Sequence, residues 1–151
     1  MYQSLQGNIG LGRAINYFTS HSITVSIPLN DTQKYDLIVD MDGKLSRIQA
    51  KTSRFKESGS SYRVLLKNCG GSSGKSKSRL FDNKSCDYVF ILTGDDKMYL
   101  IPSDKITAKN SIVVGNKYTE FEVKNKDFKE FTNTEQYSSG WRERSWKALG
   151  G

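Results

Sequence analysis

A single histidine, His21, occurs among the 151 residues, and that scarcity removes a whole region of chemistry. A site that relies on a histidine general base, or on several imidazole metal ligands, has only this residue to draw on. His21 follows a helical segment among Ser and Thr, so it reads as a solvent-facing turn residue. The only cysteines, Cys69 and Cys86, form no CxxC pair. A structural zinc centre needs four ligands, which these residues do not supply, and both thiols are expected to be free and reduced. No apolar run reaches transmembrane length, and the N-terminus lacks a signal peptide's apolar stretch. The expectation is a soluble, cytoplasmic protein with no membrane partner.

Positive charge, by contrast, is in excess. Lys and Arg number 23 against 16 Asp and Glu, a formal net charge of +7. The excess is strongest over Lys44–Arg79 and is offset elsewhere by Asp95, Asp96, Glu120 and Glu122. Such a balance attracts polyanions, of which nucleic acid is the commonest. The length suits one domain over 1–151 with a single modest core.

Hydrophobic periodicity outlines the elements. Gly7–Ser20 reads as an amphipathic helix, because Leu11, Ala14, Ile15 and Phe18 share one face. Ile23–Ile27 alternates as a half-buried strand and ends at Pro28. Tyr35–Met41 is a second strand, and Asp42-Gly43 is the strongest hairpin signal in the chain. Leu45–Thr52 returns as a third strand, with Arg47, Gln49 and Lys51 on one face and Ser46, Ile48 and Ala50 on the other. Further strands are expected at Tyr62–Leu66, Asp87–Thr93, Met98–Pro102 and Ile112–Val114, and a short helix at Asp127–Phe131. Cys69–Arg79 is rich in Gly, Ser and basic residues and reads either as a solvated loop or as a phosphate-contacting one. Within it, Gly74-Lys75-Ser76 resembles the end of a phosphate-binding loop. The first glycine that the GxxxxGKS motif requires is replaced by Cys69.

The hairpin brings chemistry together. Pairing across Asp42-Gly43 carries Asp36 alongside the end of the third strand, near Gln49 and Lys51. One carboxylate, one amide and one ammonium then converge. Phosphodiester hydrolysis uses groups of these types: oxygen ligands hold a divalent ion, and a cation stabilises the charge that builds at phosphorus. The structural alternative is a surface Asp36–Lys51 ion pair beside an ordinary exposed Gln49.

Tyr35-Asp36-Leu37-Ile38-Val39, a hairpin, and Arg47-Ile48-Gln49-Ala50-Lys51-Thr52 together resemble the core of the PD-(D/E)XK nuclease superfamily. The similarity is greatest to the homing endonucleases of that type encoded in cyanobacterial group I introns. Gly7-Asn8-Ile9-Gly10 in the first helix and Tyr99-Leu100-Ile101-Pro102 further on add to it. The resemblance spans about residues 5–105 and is vague beyond; an extension over 106–151 would serve oligomerisation or DNA contact. It implies an α/β (α+β) fold of the restriction-endonuclease-like kind, a helix followed by a mixed β-sheet with flanking helices.

It also implies roles. Asp36 would be the main metal-binding carboxylate, Gln49 and the Ala50 main-chain carbonyl further ligands, and Lys51 the catalytic lysine. The cofactor would be Mg2+ or Mn2+, with Ca2+ as a non-productive substitute. The substrate would be a double-stranded DNA site, and the location the cytoplasm of a bacterium, on the nucleoid when DNA is bound. Three positions depart from the pattern. Tyr35 stands where the motif's name has proline. Gln49 is neutral. Leu11 stands where the family's first helix presents a glutamate, which leaves Asp36 as the only evident carboxylate. Leu11 either completes the apolar helix face in a less active relative or is a change that stops cleavage so that a DNA complex can be trapped. On sequence the second reading is preferred.

Other nuclease types fit less well. HNH and His-Me sites rest on histidine, and no GIY-YIG pair or LAGLIDADG helix is present. One chain carries one site, so cutting both strands calls for a dimer or a dimer of dimers. Trp141, Trp146, Phe128, Phe131 and the Ile112–Val114 run are candidates for the interface, and closure of the core is the simpler role for each. The Trp141–Leu149 tail could also touch DNA. Arg54, Lys56, Arg63, Lys67, Lys75, Lys77 and Arg79 are candidate DNA contacts, most of them to phosphate. The rival readings are a non-catalytic basic DNA- or RNA-binding module, and a restriction endonuclease or junction resolvase with the same core.

Overall fold

The apolar stripe of the first helix and the alternating strands that follow it close on each other in a computed structural model. It describes residues 2–30, 32–67 and 79–127. Helix α1 runs over Tyr2–Ser20 and so begins a full turn before the expected start at Gly7. Ser22 stops it by adopting a left-handed conformation, φ 59°. His21 is half-buried rather than solvent-facing. Its Nδ1 lies 2.8 Å from the Tyr17 carbonyl oxygen, and its ring packs against Tyr17 with centroids 4.5 Å apart. The helix end needs a partner for its last carbonyls, and His21 supplies it.

Strands β1 (Thr24–Ser26), β2 (Leu37–Met41) and β3 (Lys44–Ser53) follow, antiparallel in sequence. Asp42 and Gly43 both take positive φ, 56° and 83°, as a two-residue turn matching the strand twist requires. The Gly43 N–H donates to Asp40 Oδ1 at 2.8 Å. After β3 come β4 (Lys56–Ser58), β5 (Ser61–Leu65), β6 (Tyr88–Thr93), β7 (Met98–Pro102), β8 (Ser111–Val114) and β9 (Glu122–Val123). The main sheet has the order β1-β2-β3-β6-β7-β9, and a smaller sheet the order β4-β5-β8. Strand β6 lies parallel to β3, which makes the main sheet mixed. Arg47 and Asp87 fasten the start of that parallel pair. The Arg47 N–H donates to Asp87 Oδ2 at 2.7 Å, and its guanidinium reaches both carboxylate oxygens at 3.1 Å.

Apolar side chains on the two faces of the main sheet form separate clusters. Ala14, Phe18, Leu37, Val39, Ile48, Phe90 and Leu92 pack between the sheet and α1, with Leu11 and Ile15 partly buried against them. Tyr62, Val64, Val89, Ile91, Ile112 and Val114 pack between the two sheets. Ile112 and Val114 therefore close the core. The face opposite α1 is covered by strands, and among the described residues the only other helical turns are the short 3-10 segments Ser103–Lys105 and Thr119–Phe121. Cys86 is a free, buried thiol. Among the described residues no helix is long and apolar enough to cross a membrane. Residues 69–78, 128–131 and 141–149, on which the expected basic loop, the end of the short helix and the Trp141 and Trp146 contacts fall, lie outside the described residues.

Candidate active site

Strand pairing decides which side chains meet. Gln49 and Lys51 sit opposite Val89 and Ile91 of β6, so they share the face that looks toward the second sheet. Ile48 lies on the other face, under α1. Gln49 is only 4% exposed, so it is a buried residue and not an ordinary exposed one. Burying an amide is costly unless its polar atoms are used, so its place here needs a chemical reason.

Asp36 stands where β2 begins, and the backbone is irregular there. Leu37 packs beneath α1, whereas Tyr35, two residues earlier, packs on the inter-sheet cluster. In a regular strand both would share a face. The Asp36 N–H donates to the Ile48 carbonyl at 2.8 Å, one residue off the Leu37–Ile48 pairing of the ladder. This break swings the Asp36 carboxylate toward the β3 backbone, where Oδ2 accepts the Ala50 N–H at 2.7 Å. The carboxylate thus replaces the ladder partner that β2 no longer provides. Solvent still reaches Asp36. The protein packed around its carboxyl raises the pKa above the ordinary carboxylate value, while the Ala50 N–H and the Lys51 ammonium pull it back.

Asp36 is accordingly brought to the Ala50 backbone and the Lys51 ammonium, and Gln49 precedes Ala50 on the same strand. Leu11 is half-buried and packs on the cluster beneath α1. A family model for PD-(D/E)XK endonucleases matches residues 1–139. The chain belongs to the PD-(D/E)XK endonuclease family. Protein 5.3 of Escherichia phage T7 is 30% identical over 102 residues, covering 66% of this chain and 80% of that protein. The solved structure of a bacterial homing endonuclease, I-Ssp6803I, is similar over 98% of each chain with a TM-score of 0.56. At 19% identity that likeness speaks for the fold.

In this PD-(D/E)XK endonuclease the candidate DNA-contacting cations are spread unevenly. Arg54, Lys56 and Arg79 are exposed, and Lys67 is half-buried. Arg63 donates through Nε to Glu57 Oε2 at 2.7 Å and through Nη1 to Ser111 Oγ at 3.3 Å, so its fork is held within the second sheet. Lys75 and Lys77 lie outside the described residues. Three residues that support the site escaped the sequence reading. Gln6 Nε2 donates to the Thr52 carbonyl at 3.0 Å. Gly10 lies so close to Thr52 that a Cβ at this position would overlap Thr52 Oγ1. Ser53 Oγ donates to the Arg63 carbonyl and accepts the Phe55 N–H, tying the end of β3 to the second sheet. One signal was available: a glycine inside a helical pattern costs about 1 kcal/mol against Ala, so its presence points to a packing reason. Gly7-Asn8-Ile9-Gly10 is continuous helix, and the packing reason lies at Gly10.

Proposed function

We propose that this endonuclease cuts double-stranded DNA at a defined sequence with the help of a divalent metal ion, in the manner of a homing endonuclease. The observation that carries this reading is the Asp36 carboxylate, turned out of its strand onto the Ala50 N–H and standing beside Lys51. A surface ion pair would not require the break in β2 that puts it there.

The donors fit a hard cation in kind. A carboxylate, an amide and a main-chain carbonyl are all oxygen ligands, which Mg2+ and Mn2+ prefer. They fall short in charge, since among the described residues no cluster of three Asp, Glu, His or Cys is present. Asp36, Gln49 and the Ala50 carbonyl would hold the ion. When bound, the metal would neutralise phosphate charge and lower the pKa of a water. Lys51 would place its ammonium against the oxygen on which negative charge develops. Asp36 must be ionised for this role, and the Ala50 N–H fixes the direction its carboxylate faces. Two such sites on a two-fold assembly, a dimer or a dimer of dimers, would cut both strands. Intron homing and a cytoplasmic location belong to the same proposal, drawn from the homing endonuclease likeness.

Leu11 bears on how active the chain is as written. A leucine at this position packs against the cluster beneath α1 whether it is native or introduced. Leu11→Glu returns a second carboxylate to the helix position. With magnesium and plasmid DNA, that variant should cut at least about tenfold faster than the parent, the scale on which metal-site partners act. A variant no faster than the parent would show that this helix position does not serve the metal.

A further inference from the structure

One of the expected DNA contacts, Arg63, is built differently from the others. The second sheet buries Tyr62, Val64, Ile112 and Val114 on one face. Strand alternation then puts Arg63 and Leu65 on the other face, with Val113 and Ser111 as their partners on β8. Leu65 is 66% exposed there and the Arg63 side chain 42%, so solvent reaches this face. Glu57 and Ser111 hold the guanidinium from the two neighbouring strands, β4 and β8. Nε and Nη2 donate to the two Glu57 carboxylate oxygens, and Nη1 donates to Ser111 Oγ. A guanidinium has five N–H donors. Three are used, and one remains on each terminal nitrogen. Two such donors are what an arginine needs to take O6 and N7 of a guanine in the major groove.

Pinning a long side chain costs conformational entropy, and an exposed ion pair adds little stability in exchange. What the pair does provide is a fork already ordered, which loses less freedom on binding. Glu57 also selects what the fork can take. A phosphate on the same guanidinium would set a second full negative charge beside the Glu57 carboxylate, and the two would repel. The O6 and N7 edge of guanine carries only partial charge. Arg54 and Lys56, exposed on the chain between Lys51 and Glu57, suit phosphate instead. The backbone of Arg63 is tied to the strand of Lys51, because Ser53, two residues past it, donates from Oγ to the Arg63 carbonyl. We infer that the outer face of the second sheet lies in the major groove and that Arg63, held by Glu57, reads one guanine of the target. β-sheets enter DNA grooves in this way. The inference rests on the nuclease reading and deepens it: the sequence cut contains a guanine at a fixed distance from the scissile bond.

The test selects duplexes from a randomised library with the full chain in EDTA and sequences the bound fraction. The parent should prefer guanine at one position by at least about tenfold, equivalent to about 1.4 kcal/mol. Replacing that guanine by 7-deazaguanine removes N7 and should weaken parent binding several-fold. Arg63→Met removes every donor and keeps the stem. It should lose the preference at that position alone, with the slope of log K against log salt unchanged, since no phosphate contact is lost. Glu57→Gln should bind all duplexes more tightly and discriminate less at the same position. A parent that binds DNA but prefers guanine nowhere, or is indifferent to 7-deazaguanine, would overturn the inference. Arg63→Met binding that weakens on every sequence alike, with a slope lower by about 1, would overturn it in favour of a phosphate contact. A preference that survives Arg63→Met would overturn it in favour of a purely structural ion pair. Failure of the parent to bind any duplex would overturn the DNA-cutting proposal itself.

Discussion

Burial holds the proton on Asp36 more firmly than water does, and the Ala50 N–H and Lys51 offset this only in part. Its folded pKa therefore lies above its unfolded one. The folded state binds more protons in that window, so this group's contribution to stability is complete below the ordinary carboxylate pKa and is lost as pH rises through the raised value. Asp36→Asn keeps an acceptor for the Ala50 N–H and removes the titration. Urea midpoints should show the variant gaining on the parent as pH rises through that window; a difference that stays constant with pH would contradict the assignment. Cleavage should climb over the same window and be absent in the variant. The trio Asp36, Gln49 and Lys51 was legible because Asp42-Gly43 dictates a tight turn, and period-two alternation then assigns the faces. The break at Asp36 was not legible. It depends on Tyr35 finding the inter-sheet cluster, to which β5 and β8 contribute from far along the chain. The burial of Gln49 has the same origin.

At the scale of elements, α1 is seated on β3 through Gly10 and Gln6, both at Thr52. Gly10→Ala would gain helix propensity of about 1 kcal/mol. It would also force the helix off the strand or Thr52 out of its rotamer, which overpacking places at about 1–3 kcal/mol. The expected net result is destabilisation. In a Thr52→Ala background the same change should cost much less, because Oγ1 is the atom overlapped. A double-mutant cycle by urea unfolding measures this coupling, and additive costs would contradict the seat. The helix start was placed near Gly7 in the sequence because Tyr2–Gln6 adds no residue to the apolar stripe of Leu11, Ala14, Ile15 and Phe18. Packing on the strand overrides propensity here. Strand β4 and the two-residue β9 went unseen for a related reason. Lys56–Ser58 has no apolar alternation, and only its pairing with β5 makes it a strand. The β2–β3 hairpin and strands β6 and β7 were legible, since each couples strong alternation or a dense apolar run to a turn. The parallel β3–β6 pairing was not, because its Arg47–Asp87 fastening joins residues forty positions apart.

For the molecule as a whole, the charge of +7 predicts affinity for DNA that falls steeply with salt. Lys75→Ala combined with Lys77→Ala should weaken binding to every duplex sequence alike. The slope of log K against log salt should fall by about 2, because two fewer phosphates are neutralised and their counterions stay on the DNA. An unchanged slope, measured by anisotropy titration over several salt concentrations, would remove Lys75 and Lys77 from the interface. The central claim is that Asp36 and Lys51 form a metal-dependent DNA-cleaving centre. It is tested most directly by sequencing the ends produced when the Leu11→Glu chain is incubated with magnesium and a library of duplexes. Paired ends should accumulate at one recurrent sequence with a fixed stagger, and they should vanish when Lys51→Ala or Asp36→Asn is added. Ends no more frequent than without protein, or ends that persist in the Lys51→Ala chain, would contradict it.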